Sequence, residues 1–183
     1  MNKLNLKFGF IVTLIIVAAV FRLLPHFPNA TPLAAMGIFG AAYLKERWQA
    51  ILIPFAALFL SDLYLNNVIY AKLYPTEGFQ WITSVWIYLA FGLLILASQT
   101  ILKKMKTQNI ALASVASSLI FFFVSNLNPF FESNMYPKTG AGLLACYTAA
   151  IPFLTNTVVG DLFYCGVLFG VYEFVKMKLP KLA

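Results

Sequence analysis

Charge is the scarcest commodity in this chain. Only 10% of its 183 residues are Asp, Glu, Lys or Arg, and the acidic residues number just six. Soluble domains carry about 25% charged residues, so a water-exposed globule of this composition is excluded and lipid is the expected solvent. Histidine occurs once and cysteine twice, at Cys146 and Cys165. There is no CxxC and no Cys/His cluster, so neither a zinc site nor a disulfide framework is signalled, and no cofactor or metal ligand set is assigned. Both cysteines stand in apolar sequence and read as small buried side chains. No nucleophile stands at a defined spacing from the single His26, and Asp62 and Asp161 alone make no hydrolytic dyad, so the chain is read as not an enzyme.

What is abundant is apolar sequence, 61% of the chain. It falls into runs that predict an all-α, polytopic membrane protein forming a single integral membrane domain over residues 1–183. Helix 1 is expected at Phe8–Leu24, helix 2 at Pro32–Leu44, helix 3 at Trp48–Leu65, helix 4 at Trp81–Leu102 and helix 5 at Ile110–Ser125. Lys3 and Lys7 before the first run resemble the start of a signal peptide. The run is long, though, and Ala18-Ala19 leads into Val20-Phe21 rather than a polar stretch, so it reads as a retained first helix. The last apolar block, Gly140–Val175, is too long for one span. Pro152 is taken to divide it into a short extra segment, Gly140–Ile151, and a sixth helix, Pro152–Val175, because proline is well tolerated in a first turn.

Helix 2 reaches only about 20 Å, short of a hydrocarbon core of about 30 Å, which raises a tilted or re-entrant segment as alternatives. The basic residues decide for six transmembrane helices. With six, Lys3, Lys7, Lys45, Arg47, Lys103, Lys104, Lys106, Lys176, Lys178 and Lys181 share one side, and only Lys72 and Lys138 face the other. Ten against two fits the positive-inside rule, with both termini cytoplasmic. The same placement at the ends of apolar runs explains the net charge of +7 without nucleic acid. The outer loops are longer and richer in Pro, Asn and aromatics, as in LPHFPNATP at 24–32 and NLNPFFESNMYPKTG at 126–140. Such loops commonly cap or line something.

Three ionisable residues, Arg22, Asp62 and Asp161, lie inside the apolar runs, where each costs about 2.5–3.5 kcal/mol on insertion scales. Helix direction places Arg22 and Asp62 near the outer ends of helices 1 and 3, and Asp161 just above mid-membrane. Each has a polar residue four positions away, His26, Asn66 and Thr157 respectively, which on one helix shares its face. Asn126, Asn128 and Asn156 add uncharged donors and acceptors at comparable levels. Two readings follow. Arg22 pairs with one aspartate and fixes helix packing, or these groups line a hydrated, outward-open pocket. The second accounts for more of the inventory, because a single pair leaves the other aspartate and the asparagines without partners. The candidate substrate-binding residues are therefore Arg22, His26, Asn29, Asp62, Asn66, Asn126, Asn156 and Asp161. Small residues at four-residue spacing, Gly37/Ala41, Ala113/Ser117, Ala145/Ala149 and Gly166/Gly170, read as close helix packing within the bundle.

Four strings in order, LLPHFPNATPLAAMGIFGAAYL at 23–44, SDLYL at 61–65, YPKTGAGLLACYTAAIPF at 136–153 and NTVVGDLFYCGVLFG at 156–170, resemble an uncharacterised family of small bacterial membrane proteins described only as candidate transporters. More loosely, the chain is similar to the substrate-binding S-components of energy-coupling-factor (ECF) vitamin transporters, the solitary cobalamin-binding branch being the nearest. The resemblance implies a six-helix S-component-like bundle in the bacterial inner membrane that takes a vitamin-like small molecule from outside. It also implies, as a partner, an energising transmembrane subunit with two ATPases. Two departures stand out. Docking S-components carry an AxxxA surface on helix 1, yet neither Ala18 nor Ala19 has a small residue four positions away. The cobalamin branch uses an outer cysteine on cobalt; Cys146 is the only substitute here, and metal ligation is not assigned. An ion- or proton-coupled small-solute carrier using Asp161, and a non-transporting membrane scaffold, are the alternatives.

Overall fold

The chain is described here by a computed structural model covering residues 3–25, 27–73 and 78–179, with the backbone alone for residues 3–5. It is 80% helical, with no strand among the described residues. In chain order the helices are α1 (Lys3–Phe21), α2 (Leu33–Tyr43) and α3 (Arg47–Tyr64). The last runs on through a π-helical stretch (Leu65–Tyr70) into a final turn, α4 (Ala71–Leu73). Then come α5 (Val85–Ile101), α6 (Thr107–Ser125), the short α7 (Leu127–Glu132) and α8 (Gly140–Lys178). Three uninterrupted helical stretches, Arg47–Leu73, Thr107–Glu132 and Gly140–Lys178, are long and apolar enough to cross a membrane, and Leu6–Phe21, Leu33–Tyr43 and Val85–Ile101 are shorter apolar helices.

The shortest of these is the centre of the molecule. Helix α2 touches α1, α3, α5, α6 and α8, and every residue from Leu33 to Gly40 is buried. An apolar sequence without a polar stripe, LAAMGIFGAAY, belongs where neighbours surround a helix on all sides. Its glycines are what let those neighbours close in. A methyl group on Gly37 would stand 2.9 Å from Leu94 Cδ1 of α5, and one on Gly40 would stand 2.6 Å from Pro54 Cγ of α3. Protein therefore covers α2 from its first residue to Gly40, which spares most of a short helix the penalty of facing hydrocarbon with unsatisfied backbone groups.

Several sequence expectations shift here. The Gly140–Val175 block lies within one helix, Gly140–Lys178, of 39 residues with Pro152 inside it, so no separate segment precedes a sixth helix. A mid-helix proline removes one hydrogen bond, whereas a break would leave up to four N–H and four C=O groups to be satisfied again in apolar surroundings. At about 1.5 Å per residue α8 is about 58 Å long, close to twice a hydrocarbon core of about 30 Å. Helix α1 ends at Phe21, three residues before the expected end, and α5 starts at Val85 rather than Trp81. Ser84 sets that start: its hydroxyl accepts from Trp86 N at 3.2 Å, an N-cap that frees residues 81–84 to run as a loop. Of the small-residue pairs, Ala113 and Ser117 are buried and Gly37 packs tightly, but Ala145, Ala149, Gly166 and Gly170 face outward, with nothing near Gly166 or Gly170. Those two pairs do not build the bundle.

The two ends of the bundle differ chemically. At one end Lys7, Tyr43, Lys45 and Glu46 come together, Tyr43 donates to Glu173 Oε1 at 2.8 Å, and Lys176 pairs with Glu173 at 3.0 Å. Beneath them Phe39, Tyr43, Phe169 and Tyr172 interlock, with ring centroids 4.1–5.6 Å apart. At the opposite end lie the loop after α1, the π-helical stretch, the loop before α5 and helix α7.

Candidate functional site: a polar-ended cavity beneath the α1–α2 loop

Arg22 is the first residue beyond α1, in a turn tied back by Arg22 N to Ala18 O at 3.2 Å. From there its guanidinium reaches α3, with Nη1 2.6 Å from Asp62 Oδ1 and donating to Ser61 Oγ at 2.7 Å. Ser61 in turn donates to Leu58 O at 2.8 Å, which turns its lone pair toward the arginine. The Asp62 side chain is fully buried and that of Arg22 is 10% exposed. A carboxylate at that depth needs a cation and donors to repay its desolvation. Arg22 supplies the charge, and Thr83 N makes a long contact to Oδ2 at 3.4 Å.

The π-helical stretch shapes the next wall. An extra residue in one turn often marks a functional site. Here it presents Asn66 and Asn67 to the loop before α5. Asn67 Nδ2 donates to Gln80 O at 2.8 Å and to Leu63 O at 2.9 Å, while Gln80 N donates back to Asn67 Oδ1 at 2.9 Å. Thr83 Oγ1 donates to Asn66 Oδ1 at 3.1 Å, and Ser84 Oγ donates to Asn128 Oδ1 of α7 at 2.8 Å. These bonds pin an otherwise irregular loop and hold Thr83 at the rim.

Asp161 sits apart from the ion pair. It is 2% exposed, and Ser118 of α6 donates to its Oδ2 at 2.6 Å. Among the described residues no cation pairs with it and no hydrogen bond reaches Oδ1. Directly beside it opens a cavity of about 290 Å³, lined by Arg22, Asn29, Thr31, Thr83, Thr157 and Asp161 on its polar surfaces. Leu33, Ala34, Leu65, Ile87 and Phe121 supply the apolar ones, and Pro28 and Tyr70 complete the lining. Asn29 closes the loop above it with a left-handed backbone (φ 62), a conformation asparagine tolerates better than most residues. A second cavity of about 230 Å³ shares Asn29, Ile87, Phe121 and Thr157 with the first and extends toward Asn126 and Asn128. Its outer edge is braced by α7, where Trp86 stacks on Phe131 at 5.6 Å and donates to Glu132 at 2.9 Å.

The expected site residues thus divide. Arg22, Asn29 and Asp161 line the larger cavity, and Asn126 lines the smaller, its Nδ2 donating to Phe122 O at 2.7 Å. Asp62 is withdrawn behind Arg22, and Asn66 is buried behind Thr83; neither lines a cavity wall. Asn156 points away and donates to Pro28 O at 3.1 Å, holding the α1–α2 loop against α8. His26 lies outside the described residues. Helix α1 stops at Phe21, so Arg22 itself lies just beyond the helix. The four-residue argument holds for Asp161 and Thr157, which line the same cavity. Sequence reading passed over Thr83, Thr31 and Ser118. For Ser118 a signal was present in the serines of ALASVASSL, since hydroxyls clustered in an apolar helix need partners. For Thr83 the cue was the Thr-Ser step ahead of an apolar run, a helix-start signature.

Fold and site together define an all-helical protein with apolar helices of membrane-crossing length and a cavity at the end remote from its basic cluster. Residues 2–182 match a family of unknown function, DUF6580, and the chain belongs to that family. No curated protein and no solved structure matches it.

Proposed function

We propose that the chain is a six-span protein of the bacterial inner membrane that binds a vitamin-like small molecule from the outer side for uptake, in the manner of an S-component. Three long and three shorter apolar helices supply the six spans. Positive-inside orientation then sets the end carrying Lys7, Lys45, Arg47, Lys103, Lys104, Lys106, Lys176 and Lys178 in the cytoplasm, and the cavity opens outward. The observation that carries the reading is Asp161, a buried carboxylate with one oxygen unclaimed among the described residues, set at the wall of a cavity of about 290 Å³. A group that expensive in an apolar bundle is accounted for when something enters the cavity to meet it. Arg22 serves by holding Asp62 and presenting the rest of its guanidinium to the cavity. The aromatic layer of Phe39, Tyr43, Phe169 and Tyr172 closes the path inward, as binding from one side requires. Whether such a protein works alone or on an energising subunit with ATPases is decided by which chains co-purify with it.

Mass spectrometry of small molecules released from the purified protein, followed by thermal shift with the molecule found, tests the reading. Asp161→Asn is expected to abolish the shift. Retained affinity in the Asp161→Asn variant would sink the pocket as drawn. A second reading is favoured by the same unpaired carboxylate: a proton-coupled carrier in which Asp161 takes up and releases the proton. Uptake into vesicles would then collapse with the proton gradient and survive ATP depletion.

A further inference from the structure

We infer that the cavity selects a compact organic ligand bearing a single positive charge, whose cationic group is held by Asp161. The inference rests on the substrate-binding reading above and deepens it to a ligand class. Its basis is the charge balance of the walls. Arg22 looks at first like a seat for an anion. Its Nη1, however, is already 2.6 Å from Asp62 Oδ1 and 2.7 Å from Ser61 Oγ, so its charge is cancelled inside the protein. The cavity and that pair together hold one cation and two carboxylates among the described residues, which leaves one negative charge unmatched, at Asp161. An anionic ligand would add to that excess in a setting where solvent screens little. A neutral ligand would leave Asp161 to be neutralised by a proton instead. A monocation removes the imbalance and supplies the donor that Asp161 Oδ1 lacks among the described residues.

The walls limit the rest of the ligand. A cavity of about 290 Å³ is at the small end of ligand pockets, which span about 300–1,000 Å³, so the molecule is compact. Phe121 and Tyr70 add aromatic surface, which cations favour. Thr157, one turn before Asp161 on α8, sends its hydroxyl to Phe153 O at 2.9 Å and so keeps its lone pairs for a donor. Leu33, Leu65 and Ile87 offer contact to a hydrocarbon or ring body. Asp161 itself is held by Ser118, so the carboxylate is positioned before a ligand arrives.

Matched fragments test the assignment. The purified full chain in detergent is heated with methylammonium, guanidinium, choline and benzylammonium at constant ionic strength. Parallel samples contain benzyl alcohol, benzoate, or sodium or potassium chloride alone. At ten times its dissociation constant a binding cation is expected to raise Tm by about 3–6 °C. Benzyl alcohol and benzoate should leave Tm unchanged, and the cation's effect should vanish in Asp161→Asn and survive, weakened, in Asp161→Glu. If Asp161→Asn fails to fold, Ser118→Ala serves instead, with a weaker cation response expected. Stabilisation by benzoate, equal stabilisation by benzyl alcohol, or the same shift from an alkali ion overturns the cation assignment while leaving a small-molecule site standing. No response to any fragment, together with no co-purifying molecule, overturns both this inference and the substrate-binding reading.

Discussion

Removing Arg22 should be among the most damaging single changes in this protein, and the geometry says by how much. Arg22→Met keeps the length of the aliphatic stem but strips the cation from Asp62, whose side chain is fully buried. What remains for the carboxylate are neutral donors alone, the 3.4 Å contact from Thr83 N and the neighbouring Tyr88 hydroxyl. Breaking one side of a buried ion pair costs about 3–5 kcal/mol, because the survivor stays desolvated. At about 2–4 °C per kcal/mol for a chain of this size, Tm should fall by about 6–20 °C. Most of that loss is a stranded charge rather than a lost attraction. Arg22→Met combined with Asp62→Leu should therefore recover much of it, giving a coupling energy of at least about 2 kcal/mol in the cycle. Thermal unfolding in detergent, followed by size-exclusion after heating, reads all four proteins. A fall of less than about 4 °C for Arg22→Met, or additive losses in the double variant, would refute the view that Arg22 neutralises Asp62 in a dry interior.

Two contrasting glycines test the packing of the central helix. Gly40→Ala puts a methyl 2.6 Å from the rigid Pro54 ring and is expected to cost about 1–3 kcal/mol, while Gly166→Ala, with nothing within 4 Å, should be neutral or stabilise by up to about 1 kcal/mol; thermal unfolding of the two side by side decides. For orientation, a cysteine placed at the exposed Met135 should react with an impermeant maleimide in intact cells, and one at the exposed Lys104 only after lysis. Both native cysteines are buried and give little background. Labelling of both positions from outside would contradict the six-span topology.

Much of the fold was legible in sequence because lipid makes apolar runs and charge placement carry most of the information. The helix-rich architecture and the boundaries of α2 and α6 came out within three residues. The errors share one physical cause: proline and capping act locally, while helix continuity is decided by whether freed backbone groups find other partners. Pro152 was read as a boundary and is not one, whereas Ser84 ends a loop that hydropathy alone had merged into a helix. At the site, composition singled out Arg22, Asp62 and Asp161 as the costly residues. Of the hydroxyls that serve them Thr157 was recognised, while Ser61, Thr83 and Ser118 were missed, since hydroxyls are cheap enough in apolar sequence to pass unnoticed.

By itself, then, the sequence determined that this chain folds in an apolar solvent, which end of the bundle is basic, and that three charges needed an explanation. It left open which aspartate Arg22 would meet, because Asp62 and Asp161 are equivalent in one dimension. Only the packing of α3 and α8 around the short central α2 separated them: one carboxylate came within 2.6 Å of the guanidinium, and the other faced a cavity. Coulomb energy depends on distance in space, and the order of residues along a chain does not encode that distance until the helices have packed.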